Sequence, residues 1–342
     1  MRAGRAGGGG SGHIGAAGEV VCELCPRGCV IPEGGAGDCR VRVNLGGKLR
    51  ATTYGRPSAI HVDPMEKKPL FHFLPRSAVF SIGTAGCNLH CRNCQNWQLS
   101  QRGGEEMDTI YRAAPEEVAA LAQAQGCRAV AYTYNDPVVF YEYVCDTAVV
   151  VRARGLRNVL VTAGYINREP LRRLCRLVDA TNTDLKGFDD RFYRENCGAS
   201  LKPILDALVT FREEGVWQEV THLMIPGIND DLAMFRRMAR WHLEHLGADT
   251  PLHLSRFQPK YRLQNLPPTP METLVRAREE ALDVGLRYVY LGNLFGHPAE
   301  STVCPRDGTV LIRRNGMRVL EDRLSPGGRC PTCGDAIPGV WS

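Results

Sequence analysis

The sequence predicts an α/β fold, a partial (β/α)6 barrel of the TIM-like kind, carrying a small cysteine-rich metal-binding appendage at each end. Two observations lead there. Between residues 78 and 293, short β-branched runs alternate with stretches whose apolar residues recur at helical spacing, as repeated βα units around a parallel sheet require. Ten of the 14 cysteines fall into three groups, one before this region, one at its start and one after it.

Residues 1–18 are Gly- and Ala-rich with two arginines and lack the apolar stretch of a signal peptide, so a disordered tail is expected. Residues 19–75 form the first appendage. It contains Cys22, Cys25, Cys29 and Cys39 in the spacing C-x2-C-x3-C-x9-C, and a hairpin over 41–43 and 48–52 turning at Gly46 and Gly47. The barrel is assigned to residues 76–297. Strands are expected at 78–82, 129–133, 158–162, 180–184, 219–225, 252–257 and 288–291. Helices are expected at 115–124, where Pro115 suits a first turn, and at 231–245 and 271–284, from their apolar periodicity. Residues 298–342 form a zinc-ribbon-like segment. A second hairpin, 309–313 and 317–320 with a turn at Asn315 and Gly316, is bracketed there by Cys304 and by Cys330 and Cys333.

Composition narrows the class. A chain of 342 residues with 44% hydrophobic content can bury a large core. The net charge of +5, from 42 basic and 37 acidic residues, comes without a Lys/Arg run, so nucleic-acid binding is not indicated. No stretch of about 18 apolar residues suggests a membrane span. Cysteines grouped at C-x2-C spacing without an export signal point to metal rather than disulfides, and to a cytoplasmic protein. Cys127, Cys145, Cys175 and Cys197 stand apart and read as small buried hydrophobes.

Cys87, Cys91 and Cys94, in the spacing C-x3-C-x2-C, carry the most chemistry. Three thiolates in eight residues can hold three irons of a [4Fe-4S] cluster and leave the fourth iron open. A zinc site sharing this spacing is the alternative, though His90 is a poor fourth ligand because it adjoins Cys91. The triplet follows the first expected strand, where the C-terminal ends of barrel strands place active-site loops. Its spacing resembles the signature of the radical S-adenosylmethionine superfamily. That resemblance implies a cluster whose open iron is chelated by the cofactor's amino and carboxylate groups, and reductive cleavage to a 5'-deoxyadenosyl radical.

A site for that cofactor needs acceptors, donors and an apolar slot. Asn135 and Asp136, closing the second strand, could accept from the ammonium, or simply form an Asn-Asp-Pro turn. Asp184 and Lys186 close the fourth strand on one face, and Lys186 could pair with the carboxylate; a surface ion pair is the alternative. Thr162 and Asn293 are weaker candidates that could be local caps, and Arg256 and Gln258 lack a visible partner. The charged run at residues 66–68 reads as a solvated face, and His72 as structural.

Several segments narrow the resemblance: residues 22–29, 63–73, the triplet through Trp97, 132–137, 184–186 and 288–293. Together they are similar to the radical enzyme of the AmmeMemoRadiSam system, a group akin to the glycyl-radical-enzyme activases such as pyruvate formate-lyase activating enzyme. The resemblance implies an oxidoreductase and places Asp184 and Lys186 near the cofactor. It also implies a protein partner or substrate, and a donor such as flavodoxin or ferredoxin. Three positions depart from the pattern. Asn93 stands where an aromatic residue normally borders the adenine, Asp136 where glutamate is expected, and Asp307 where a ribbon has cysteine. Asp307 could still join Cys304, Cys330 and Cys333 around zinc. The N-terminal four could hold zinc or an auxiliary iron-sulfur cluster, with zinc the slight preference. Other functions stay open: modification of a nucleic acid or small metabolite, a zinc-ribbon binding or scaffold protein with a degenerate centre, or an electron carrier.

Overall fold

A computed structural model describes residues 12–14 and 18–342. Most of the expected tail therefore lies outside the described residues, while Gly12–Ile14 pairs antiparallel with Val20–Cys22. The centre is one eight-stranded sheet whose spatial order follows the chain. Its strands are β1 (Ala59–Pro64), β2 (Ala78–Gly83), β3 (Ala129–Tyr132), β4 (Arg157–Thr162), β5 (Ala180–Asp184), β6 (Trp217–Met224), β7 (Leu252–Arg256) and β8 (Val289–Gly292). Strands β2 to β8 are parallel, β1 is antiparallel to β2, and β1 and β8 end the order, so the barrel is partial.

The seven expected strands match β2 to β8 within about two residues. The second expected strand keeps four residues of five, because Tyr134 turns to a φ of 73° just beyond Tyr132. Strand β1 has no counterpart among the expected strands, and its burial explains why. Asp63 faces inward while Val62 is exposed, the reverse of the apolar-in pattern from which strands are read.

Six crossover helices connect the parallel strands: α1 (Pro115–Ala124), α2 (Tyr141–Ala153), α3 (Arg168–Cys175), α4 (Leu201–Glu213), α5 (Leu232–Leu246) and α6 (Met271–Val284). Their ends follow from local chemistry. Pro115 opens α1 while Glu117 accepts from the Ala114 N–H at 2.7 Å. Asp231 accepts from Ala233 N at 2.7 Å to start α5. Apolar side chains from these helices and both sheet faces form two large buried clusters.

The charged run at 66–68 is largely buried rather than solvated. Lys68 is 2% exposed and its Nζ donates to Asp63 at 2.7 Å, while Asp63 also accepts from Lys67 and from the Tyr134 hydroxyl at 2.7 Å. Glu66 accepts from Arg76 N and faces the buried guanidinium of Arg314 at 3.7 Å. Charges paired this way can be buried, which the sequence alone does not reveal.

The two appendages sit at opposite ends of the barrel. The C-terminal segment forms β9 (Thr302–Val303), β10 (Val310–Asn315) and β11 (Arg318–Asp322), with the hairpin turn at Gly316 and Met317, one residue later than expected. It packs Leu311, Ile312 and Ile337 against Phe71, Tyr288 and Tyr290. Arg314 donates to the Phe71 carbonyl at 2.8 Å, and His72, buried as expected, bridges the Pro338 carbonyl and the Tyr290 hydroxyl. Trp217, Glu219 and Tyr288 place these contacts at the strands' N-terminal ends, where residues serve stability. The N-terminal hairpin, Arg42–Asn44 with Leu49–Ala51, belongs to the other end, beside the cysteine triplet.

Candidate metal centre and cofactor site

The triplet occupies the loop after β2. A Cβ on Gly83 would come within 2.5 Å of the Thr133 carbonyl, and one on Gly86 within 2.5 Å of the Cys39 carbonyl, so the loop runs where only glycine fits. Asn135 anchors it. Its Oδ1 accepts from Thr84 N at 3.1 Å and its Nδ2 donates to the Gly86 carbonyl at 2.7 Å. Asn135, expected as an ammonium acceptor, thus ties its side chain to the loop.

Asp136 also makes structural hydrogen bonds. Its carboxylate accepts from Val138 N at 3.1 Å, Ala163 N at 2.9 Å and the Thr162 hydroxyl at 3.0 Å. Burial raises its pKa against these donors. Thr162 in turn accepts from Gly164 N at 3.0 Å. The pair ties the ends of β3 and β4 together, the Asn-Asp-Pro turn made rigid.

Asp184 and Lys186 do come together at the end of β5, Nζ to Oδ2 at 2.7 Å, a surface-type pair in distance but with Lys186 only a fifth exposed. Burial opposes the Lys186 charge, yet Asp184 and the neighbouring Cys91 and Cys197 outweigh it and hold the ammonium strongly protonated. Lys186 is thus a cation directed at the triplet. Asn93 is buried and accepts from Asn196 Nδ2 at 2.9 Å, a tie to a segment 103 residues along the chain. Asn293 donates to Ser255 Oγ, and Arg256 to the Thr269 carbonyl at 2.8 Å, which assigns both to local structure. Gln258 is exposed.

Cys197 was not legible as part of this site. It ends a π-helical turn, Tyr193–Cys197, closed by Gly198 at φ 62°. That turn pairs with the triplet loop through His90 N to the Cys197 carbonyl and Arg92 N to the Asn196 carbonyl, both 2.8 Å. The Cys197 thiol shares a hydrogen bond with Cys91, which raises Cys91 and lowers Cys197. A lone cysteine has no spacing signal that could have marked it. His90 turns to Asp38 at 2.7 Å and Gln101 at 3.2 Å, in keeping with its being a poor fourth ligand.

Spacing separates the three cysteine groups. Among the described residues, the one group of three or more metal-ligating side chains lying mutually within 4.8 Å is Cys304, Asp307, Cys330 and Cys333. A tetrahedral zinc with sulfur at about 2.3 Å sets its ligand sulfurs about 3.8 Å apart. The C-terminal group matches: Cys304 and Cys333 sulfurs are 3.6 Å apart, and Cys330 lies 3.4 Å from Asp307 Oδ2. Cys87, Cys91 and Cys94 do not all lie within that distance of one another, which is compatible with ligands of separate irons. Cys94 is further held by Ser100 Oγ at 3.1 Å.

Residues 81–241 match the radical SAM superfamily, and the chain is 44% identical over 323 residues to the uncharacterized protein MJ0808 of Methanocaldococcus jannaschii, covering 93% of this chain and 95% of that one. Residues 81–241 form a radical SAM superfamily domain. Among solved structures, SuiB of Streptococcus suis bound to S-adenosylmethionine is similar at 13% identity, with a TM-score of 0.50 over 71% of this chain and 56% of that one. A domain of pyruvate-formate lyase-activating enzyme from Bacteroides vulgatus is 17% identical, with a TM-score of 0.43 over 48% of this chain and 99% of that one. Membership implies a [4Fe-4S] cluster and S-adenosylmethionine. The residues fit both: three spaced thiols on a fixed loop, with a charged lysine beside them.

Proposed function

We propose that this protein is a radical S-adenosylmethionine oxidoreductase of the AmmeMemoRadiSam type that abstracts a hydrogen atom from its substrate, as the glycyl-radical-enzyme activases do. The observation that carries this reading is the convergence of Cys87, Cys91 and Cys94, in C-x3-C-x2-C spacing on one loop, with Lys186 at the C-terminal end of the barrel. When bound, the cluster and cofactor supply a 5'-deoxyadenosyl radical. The chain's own residues do the rest. Lys186 offers its ammonium to the cofactor's carboxylate. Asn135, Asp136 and Thr162 keep the loop and the strand ends from moving, and Cys197 hydrogen-bonds the ligand Cys91.

In this reading the hydrogen comes from a partner protein's glycine, the electron from a flavodoxin or ferredoxin in the cytoplasm, and the C-terminal group holds zinc. The test is anaerobic reconstitution with iron and sulfide, then incubation with S-adenosylmethionine and a strong reductant. Formation of 5'-deoxyadenosine supports the reaction class, and its absence from cluster-loaded protein refutes it. Deuterium carried into 5'-deoxyadenosine from a labelled peptide, rather than from a nucleic acid or metabolite, supports the substrate class.

A further inference from the structure

The four N-terminal cysteines form a site of their own. Cys22, Cys25, Cys29 and Cys39 line one cavity, whose other walls include the apolar Leu24, Ile31, Val138 and Val139. All four are free thiols converging from separate turns of a small segment, a donor set suited to a soft metal. Their spacing differs from that of the C-terminal group. No three of them lie mutually within the 4.8 Å that the C-terminal group meets, so they resemble the Cys87 triplet and not the zinc-like group.

The cavity is also prepared for negative charge. Arg42, 2% exposed, lines it. Its two terminal nitrogens are both taken by Glu142 at 2.7 Å, while its buried Nε–H has no hydrogen-bond partner. A buried donor without a partner costs about 1–3 kcal/mol, and the sulfur of an anionic cluster would satisfy it.

We propose that Cys22, Cys25, Cys29 and Cys39 bind a second [4Fe-4S] cluster, fully ligated by cysteine and placed directly beside the Cys87, Cys91 and Cys94 site. The adjacency is built from three contacts. The side chain of Asn88, next to Cys87, lines the same cavity as Cys25, and its backbone carbonyl accepts from Arg27 Nε at 2.6 Å. The Gly86 backbone lies against the Cys39 carbonyl, and Asp38 pairs with His90. A closed four-thiolate cluster has no open iron, so it binds no S-adenosylmethionine and differs from the first in that respect.

The experiment uses the full chain, purified and reconstituted without oxygen, and its Cys87→Ala/Cys91→Ala/Cys94→Ala variant. The expected wild type holds about eight irons and eight sulfides, and the variant keeps about four of each with a reduced-cluster spin signal. A variant with no cluster signal and one additional zinc overturns the proposal. Should the variant not fold, the wild type decides alone. Two half-integer spin signals after reduction, broadened by mutual coupling and only one altered by S-adenosylmethionine, are expected; a single cofactor-responsive species overturns it. This site stands apart from the proposed reaction. Four irons with 5'-deoxyadenosine formed would sink the second cluster alone, whereas eight irons without 5'-deoxyadenosine would sink the reaction alone.

Discussion

Replacing Asn135 by alanine tests whether this residue serves the loop or the cofactor. In the structure its amide spans the segment that leads into Cys87, accepting from Thr84 N at 3.1 Å and donating to the Gly86 carbonyl at 2.7 Å. Asn135 is 5% exposed and Thr84 is fully buried, so water has little access to the groups left behind. Each stranded backbone group costs about 1–3 kcal/mol, so the loss of both amounts to about 2–6 kcal/mol. At ~2.1 cal/mol/K per residue, a chain of 342 residues has an unfolding entropy of about 0.7 kcal/mol/K, and the midpoint should drop by about 3–8 °C. Differential scanning calorimetry of the anaerobic protein gives the midpoint, and iron and sulfide analysis gives cluster retention. Both should fall together, because the loop that positions Cys87 loosens. A variant with unchanged midpoint and full iron, but weakened S-adenosylmethionine binding, would refute this reasoning and return Asn135 to the cofactor.

Three further outcomes follow. Lys186→Met, close in volume but uncharged, should weaken S-adenosylmethionine binding by about tenfold to a hundredfold while leaving iron content intact, a charge-assisted hydrogen bond being worth about 1.5–3 kcal/mol; unchanged binding by calorimetric titration would remove Lys186 from the site. His72, His222 and His242 are buried and held neutral, each lowered to about 4 by desolvation. The stability that this neutrality confers is complete above the ordinary value near 6.5 and is lost as pH falls toward 4, with each histidine contributing on the order of a few kcal/mol. Denaturant midpoints should therefore decline steeply between pH 6.5 and 4, and a flat profile there would contradict their burial. Cys330→Ser should abolish one zinc per chain, measured by metal analysis of the reconstituted protein, and open the segment beyond β9 to proteolysis; zinc retained at wild-type stoichiometry would exclude Cys330 as a ligand.

Local chemistry written in the sequence determined much of this protein. The seven parallel strands were legible because strands buried on both faces read as apolar, β-branched runs. The cysteine triplet was legible because its ligands fall within eight residues, so spacing stands in for geometry. Asp184 and Lys186 were legible together because alternation along one strand sets their side chains on one face. What the sequence did not reveal depended on tertiary partners. Strand β1 and the charged run after it disobey the apolar-in rule, since Lys68 and Glu66 are buried only because Asp63 and Arg314 reach them. Asn135 and Asp136 resemble cofactor ligands in sequence, and only their Thr84, Gly86 and Thr162 partners reveal the structural role. Cys197 is 103 residues past Cys94 in number but lies against Cys91, brought there by a π-helical turn. The sequence by itself determined which atoms are available for iron, zinc and cofactor. Only the tertiary structure decided which thiols stand close enough to share one ion and which polar side chains are already committed to the backbone, because distance and burial are properties of packing and not of order along the chain.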